Sequence, residues 1–302
     1  FDSEAAPLFR REFTLKKDIA AARAYICGLG YYELHLNGAK VGDHVLDPGQ
    51  TDYTERVFYV TYDVTGLLKS GPNAAGVMLG DGWYNQRAVN ERKYGWGDVV
   101  YGDPRFIFQL RVDYSDGSSD LIVSDGNWKA SPGPILLNNV YAGESYDARR
   151  EQPGWDAPGF VDGGWARAKQ MEAPGGVLES QKIPPVKRMA TLKTKSVVNP
   201  KPDVYVFDMG QNFAGWARLR VTAPSGTVIS MRFAESVNPD GTINMESTGV
   251  GAIHVEQTDR YTCRGGGMET WEPRFTYHGF RYVEMTGYPG TPTPDMLEGI
   301  AV

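Results

Sequence analysis

The sequence predicts an all-β chain that folds as two consecutive antiparallel β-sandwich domains of jelly-roll-like type. Of its 302 residues, 36 are glycine, 19 are proline and 12% are aromatic, a composition typical of many short strands joined by turns. Amphipathic helical windows are nearly absent, whereas several segments alternate apolar and polar side chains with a period of two. The hydrophobic share of 41% is large enough to build two cores.

The strands of the first half can be assigned in order. Residues 8–15 predict a first strand, and residues 32–36 predict another that alternates apolar with polar side chains. Asn37-Gly38 then predicts a hairpin turn, because both residues tolerate a positive φ. Residues 106–114 show the cleanest alternation in the chain, and residues 121–123 are the predicted partner strand. Such regularity indicates a sheet with one buried and one wetter face.

A change of composition marks the middle of the chain. Residues 143–167 contain Trp155 and Trp165 among glycine, proline and aspartate, which predicts an ordered loop wrapped over the sheet. A proline- and glycine-rich stretch begins at residue 173, so we predict domains at 1–175 and 176–302. Further strands are predicted near residues 188–198, 204–207, 217–221, 228–233, 256–263, 271–277 and 280–285.

Charge and cysteine content exclude several classes of function. The net charge is −6 and the basic residues are scattered, so nucleic acid is not an expected partner. No apolar run approaches the ~18 residues of a membrane span, and no membrane association is expected. Cys27 and Cys263 lie far apart, which predicts buried free thiols instead of a redox pair. The four histidines lack the spacing of metal ligands.

Acidic residues are plentiful without forming a diagnostic catalytic pair. Glu144 with Asp147, or Asp203 with Asp208, offers the two carboxylates that a glycosidase needs across the scissile bond. Acids that cap backbone amides in turns are far commoner, so no catalytic residue is predicted within this chain. A nucleophile elbow and a phosphate-binding loop are also missing from the sequence.

The stretch from Met78 to Pro104 is the best candidate for ligand binding. Its glycines permit turns, its aromatic rings can stack on pyranose faces, and its acids and amides can bond to ring hydroxyls. The predicted carbohydrate-binding residues in and near this stretch are Asp52, Tyr53, Trp83, Tyr84, Asn85, Asn90 and Trp96. The competing interpretation makes Trp83 and Tyr84 core residues at the end of a strand.

Several motifs stand in fixed order along the chain. They are LHLNGAKVGD at 34–43, PGQTDY at 48–53, LGDGWY at 79–84, ESYDAR at 144–149, FDMGQNFAGW at 207–216 and WEPRFTYHGFRYV at 271–283. Together they resemble the two N-terminal β-sandwich domains of bacterial α-L-rhamnosidases, and the resemblance covers nearly the whole chain. It implies that a catalytic (α/α)-barrel follows these domains in the same protein, and the family's catalytic motifs cannot be mapped onto this chain.

The resemblance implies different roles for this chain and for the catalytic barrel. The whole enzyme would hydrolyse terminal α-L-rhamnosides with inversion, using a general acid and a water-activating base. This chain would be inactive alone, would support the barrel, and would bind a rhamnose-containing glycan. A free-standing carbohydrate-binding protein, or a complete β-sandwich hydrolase with its acids inside this chain, are the alternatives.

Cofactor and location are implied in the same way. No cofactor is required, but some relatives carry a calcium-dependent rhamnose-binding module, which makes Ca²⁺ a candidate ligand. The preferred metal positions are Asp52, Asp103 and Pro104. Because rhamnosides are extracellular polymers, the expected location is the periplasm or the medium.

Overall fold

The computed structural model describes residues 5–86, 99–248, 255 and 257–302. Within these residues the regular structure is strands and short 3₁₀ segments, which confirms the all-β prediction. No helix among them has the length and apolarity to cross a bilayer. The 3₁₀ segments are Thr65–Leu67, Ala148–Arg150, Met245–Thr248 and Pro294–Met296. The strands are β1 Pro7–Leu15, β2 Ile19–Leu29, β3 Tyr32–Leu36, β4 Ala39–Lys40, β5 Arg56–Asp63, β6 Gly71–Leu79, β7 Asn85–Gln86, β8 Val99–Val100, β9 Arg105–Tyr114, β10 Ser119–Val123, β11 Lys129–Pro132, β12 Ile135–Asn139, β13 Gly143–Asp147, β14 Ala166–Arg167, β15 Val177–Ser180, β16 Ala190–Lys193, β17 Ser196–Lys201, β18 Val204–Thr222, β19 Val228–Ala234, β20 Thr258–Thr262, β21 Met268–Trp271, β22 His278–Thr286 and β23 Leu297–Ala301.

The first compact unit comprises Phe1–Asn85, Val100–Gly133 and Gln152–Val186. Its two sheets have the strand orders β14-β11-β1-β6-β3-β4 and β10-β9-β2-β5-β15. Fully buried side chains from both sheets, such as Val77 and Leu110, pack into one core. The alternation read from the sequence therefore gives a sandwich, because each sheet buries one face against the other.

Two local predictions in this unit are confirmed. Asn37 and Gly38 have φ values of 52° and 85° and turn the chain from β3 into β4. Strand β9 pairs with β10, and its Leu110 is fully buried while Arg111 is exposed.

The prediction of a loop across residues 143–167 was wrong at its start. Gly143–Asp147 forms β13, which pairs with β12 and, in parallel, with β20. The partner β20 lies more than 100 residues away, and the segment's own residues show no alternation that would reveal it. It was also wrong at its end, where Ala166–Arg167 forms β14 and pairs with β11. Residues 151–165 are an ordered loop as predicted, since Trp155 is 9% exposed and its ring stacks on Trp165.

The second compact unit consists mainly of Pro134–Glu151 and Lys187–Val302. Its sheet has the order β12-β13-β20-β19-β22-β18-β23-β16, and β17 and β21 also pair with the long β18. Most pairs are antiparallel as predicted, and two pairs, β13–β20 and, in the first unit, β15–β5, are parallel. Parallel neighbours need long connections, which local sequence does not display. The division after residue 175 stays a prediction.

Candidate functional site

The motif at residues 79–84 begins at the last residue of β6 and turns sharply. The N–H of Gly80 donates to the carbonyl of Tyr31 at 2.7 Å. Gly82 has a φ of 52°, and a Cβ on it would lie 2.7 Å from the backbone nitrogen of Tyr31. The glycines therefore let residues 80–82 lie directly against the backbone of residues 30–31.

Three tyrosines form a cluster beside this turn. The ring centroids of Tyr53 and Tyr84 are 5.2 Å apart, those of Tyr53 and Tyr101 are 5.2 Å apart, and Tyr84 stacks on Tyr101 at 5.8 Å. Tyr53 and Tyr84 are only 5% and 1% exposed, whereas Tyr101 is 43% exposed. We call these three residues the tyrosine cluster. One of its three rings is open to solvent.

Burial changes the roles of the predicted aromatic platforms. Tyr53 and Tyr84 pack with Cys27 and Leu29 in a buried cluster, so neither ring is available to stack on a ligand in this structure. Burial also raises the pKa of the Tyr53 phenol. Trp83 is half-buried against the same cluster.

The exposed ring is one that the sequence analysis missed. Tyr101 lies within the candidate stretch but was not in the predicted set. The sequence feature that could have revealed its exposure is the Tyr-Gly-Asp-Pro turn at 101–104, because the side chain at the start of a turn lies near solvent.

The predicted polar residues at this edge hold turns. The side-chain amide of Asn85 donates to Asp81 Oδ1 at 2.8 Å, and Asn85 is 4% exposed. The carboxylate of exposed Asp52 accepts hydrogen bonds from the hydroxyl and the N–H of Thr54, which lower the pKa of Asp52. Asp103 is exposed, and its backbone carbonyl accepts a hydrogen bond from Arg105 Nε at 3.2 Å.

The described residues give no support to the predicted calcium site. Among them, no three histidine, cysteine, aspartate or glutamate side chains come together as metal ligands. Asp52, Asp103 and the carbonyl of Pro104 would in any case fall short of the six to eight oxygens that Ca²⁺ takes. Asn90 and Trp96 lie outside the described residues, and their predicted roles stay predictions.

Three of the four acids weighed as catalytic candidates have structural partners, and the fourth, Asp203, lies in a turn with a φ of 59°. Glu144 is fully buried and accepts backbone hydrogen bonds. Asp147 accepts the N–H of Arg149 and so begins the 3₁₀ segment that follows it. The carboxylate of Asp208 accepts two bonds from Arg281, each 2.8 Å long, and these lower the pKa of Asp208.

Two family models account for most of the chain. Residues 17–190 match the α-L-rhamnosidase N-terminal domain. Residues 198–302 match the bacterial α-L-rhamnosidase concanavalin-like domain. The chain belongs to the bacterial α-L-rhamnosidase family. The resemblance seen in the sequence motifs of this rhamnosidase chain is thereby confirmed.

The matched rhamnosidases are much longer than this chain. An α-L-rhamnosidase of Streptomyces avermitilis is 44% identical over 98% of the chain but only 28% of the relative's length. One of Formosa agariphila is 40% identical over 100% of the chain and 32% of the relative. The solved S. avermitilis enzyme, complexed with L-rhamnose, superposes with a TM-score of 0.92 at 43% identity, covering 98% of this chain and 28% of that one. The α-L-rhamnosidase of Dictyoglumus thermophilum gives 0.89 at 48% identity, covering 98% and 32%. The chain thus spans about a third or less of the length of these relatives.

Proposed function

We propose that this chain is the non-catalytic accessory region of an α-L-rhamnosidase, a glycoside hydrolase that acts with inversion on terminal α-L-rhamnosides. The observation that carries the proposal is the match of two successive rhamnosidase domain models within a chain that covers only 28% to 32% of its curated relatives. Chemistry belongs to an (α/α)-barrel of the same protein, which this region supports. The substrate class puts the enzyme in the periplasm or outside the cell.

Glycan binding at the edge beside the tyrosine cluster is the second part of the proposal. The exposed ring of Tyr101 and half-buried Trp83 offer flat apolar surface, and the carboxylates of Asp52 and Asp103 are exposed nearby in sequence. L-Rhamnose carries a methyl group at C6, so it presents more apolar surface than most hexoses and suits aromatic stacking. Ring hydroxyls would bond to the carboxylates.

The purified chain is expected to release no rhamnose from an aryl α-L-rhamnoside, because Glu144, Asp147 and Asp208 are engaged in structural hydrogen bonds. The full-length gene product, assayed in parallel, is expected to release it. Release that rises in proportion to the concentration of the purified chain would contradict the accessory role and favour a complete β-sandwich hydrolase.

Replacing Tyr101 by alanine is expected to weaken binding of L-rhamnose about fivefold, since an aromatic stacking contact contributes about 1 kcal/mol. Wild-type binding should be weak, roughly millimolar to high micromolar, because a shallow sugar site exchanges water hydrogen bonds one for one. Titration calorimetry with and without a chelator measures both values. Tyr205→Ala, a half-buried tyrosine of the second unit, is the matched control. Equal affinity in both variants, or no heat with the wild-type chain, counts against this site.

A further inference from the structure

Three titratable side chains meet in the core of the second unit. Glu144 lies on β13, Asp259 on β20 and His278 at the start of β22, and their exposures are 0%, 0% and 1%. The parallel pairing of β13 with β20 sets Ser145 opposite Arg260, which brings the residues before them, Glu144 and Asp259, side by side. This cluster has no role in the proposed glycan site.

In each of these three side chains, one polar atom has a hydrogen-bond partner and, within the described part of the chain, the other polar atom has none. Glu144 Oε2 accepts the backbone N–H groups of Arg274 and Phe275, both at 3.0 Å. Asp259 Oδ1 accepts the N–H of Glu144 at 2.9 Å and lies 3.2 Å from His278 Nε2. Among the described residues, Glu144 Oε1, Asp259 Oδ2 and His278 Nδ1 have no hydrogen-bond partner.

The surroundings disfavour a second negative charge. Strand β19 contributes apolar groups, since Met231 is paired with Asp259 and the ring of Phe233 stacks on His278 at 4.1 Å. Two carboxylates this close and this deeply buried cannot both ionise without a large desolvation cost. One of them is therefore expected to hold a proton.

The surroundings of Glu144 indicate that it is the carboxyl group that holds the proton. Burial is the main influence and raises the pKa of Glu144 to about 8, with a smaller contribution from the charge of Asp259. Arg274 opposes the shift through its charge and its backbone N–H. Tyr146, two residues along the strand, is itself a buried phenol whose pKa burial raises, so it adds no charge at neutral pH.

We propose that Glu144, Asp259 and His278 form a proton-binding site that couples folding of the second unit to pH. Folding takes up a proton at Glu144, whose outer oxygen then becomes a donor. Below a pH of about 4.5, the ordinary value for glutamate, both the folded and the unfolded chain carry this proton and its contribution to stability is fully present. It is lost as the pH rises towards the folded pKa of about 8, so this group stabilises the second unit more at pH 5 than at pH 8.

Glu144→Gln tests the proposal, because glutamine keeps the shape and the accepting oxygen while removing the titration. At pH 8 the variant's unfolding equilibrium constant, from urea denaturation of the full chain, is expected to be about tenfold or more below that of the wild type. At pH 5 the two should nearly agree. Glu235→Gln, at an exposed carboxyl of the same unit, should follow the wild type at both pH values. A variant destabilised equally at both values would overturn the proposal, since Glu144 would then act as a carboxylate.

A second measurement does not depend on the variant folding. The infrared spectrum of the wild-type chain at pH 6 in D₂O is expected to contain the C=O band of a protonated carboxyl, which disappears above pH 9. A wild-type spectrum with ionised carboxylates alone at pH 6 would overturn the proposal. Where Glu144→Gln folds, the band should be missing from its spectrum.

Discussion

Replacing Gly30 by alanine is expected to lower the free energy of unfolding of the first unit by about 3 kcal/mol or more. Gly30 has a φ of 108°, which side-chain-bearing residues rarely adopt, and a Cβ there would lie 2.2 Å from the backbone carbonyl oxygen of Gly80. Backbone cannot move aside as a flexible side chain can. The chain just after β2 and the chain just after β6 would have to separate.

Gly117→Ala is the matched control for this change. Gly117 also has a positive φ, 83°, but a Cβ added there would have no atom within 4 Å, so only the conformational cost of about 1 kcal/mol is expected. Urea denaturation gives the free energies, and hydrogen exchange in peptides covering residues 26–36 and 74–84 locates the loss. Equal destabilisation by the two substitutions would show that the approach of Gly30 to Gly80 is not tight in solution.

Periodicity and turn chemistry predicted the parts of the fold that depend on near neighbours. The β3–β4 hairpin followed from Asn37-Gly38, and the buried face of β9 followed from its alternation. Strand β13 did not follow, because its residues show no alternation and one of its two partners, β20, comes from a distant part of the sequence.

The candidate site, like the fold, could be predicted only in part from local sequence. Local sequence predicts an aromatic and acidic edge near residues 79–104, but it does not show which rings face out. That depends on Cys27 and Leu29, which approach from β2 and bury Tyr53 and Tyr84. Tyr101, which is not part of that buried cluster, is exposed.

Arg10→Met is expected to cost the first unit about 3–5 kcal/mol, because it removes one partner from a buried set of polar groups. Arg10 is 1% exposed, although its place in an alternating strand predicts a wet outer face. Its Nε donates to the carbonyl of Trp155 at 2.9 Å and its Nη2 to that of Ala157 at 3.1 Å. The guanidinium also pairs with Asp162 and lies over the ring of Phe160. The ordered loop is therefore held against β1 by its contacts with the side chain of Arg10.

The loop should loosen when Arg10 is replaced even by lysine, since an ammonium group cannot reach carbonyls and a carboxylate in three fixed directions. Hydrogen exchange across residues 152–168 measures the loosening, and Arg111→Met is the control. Arg111 pairs with Asp113 at 2.9 Å on an exposed face, where solvent and salt screen the interaction between the two charges. If hydrogen exchange in the loop is as slow in Arg10→Lys as in the wild type, the positive charge alone is sufficient to hold the loop. Faster exchange in Arg10→Lys than in Arg111→Met would instead show that the planar geometry of the guanidinium keeps the loop on the sheet.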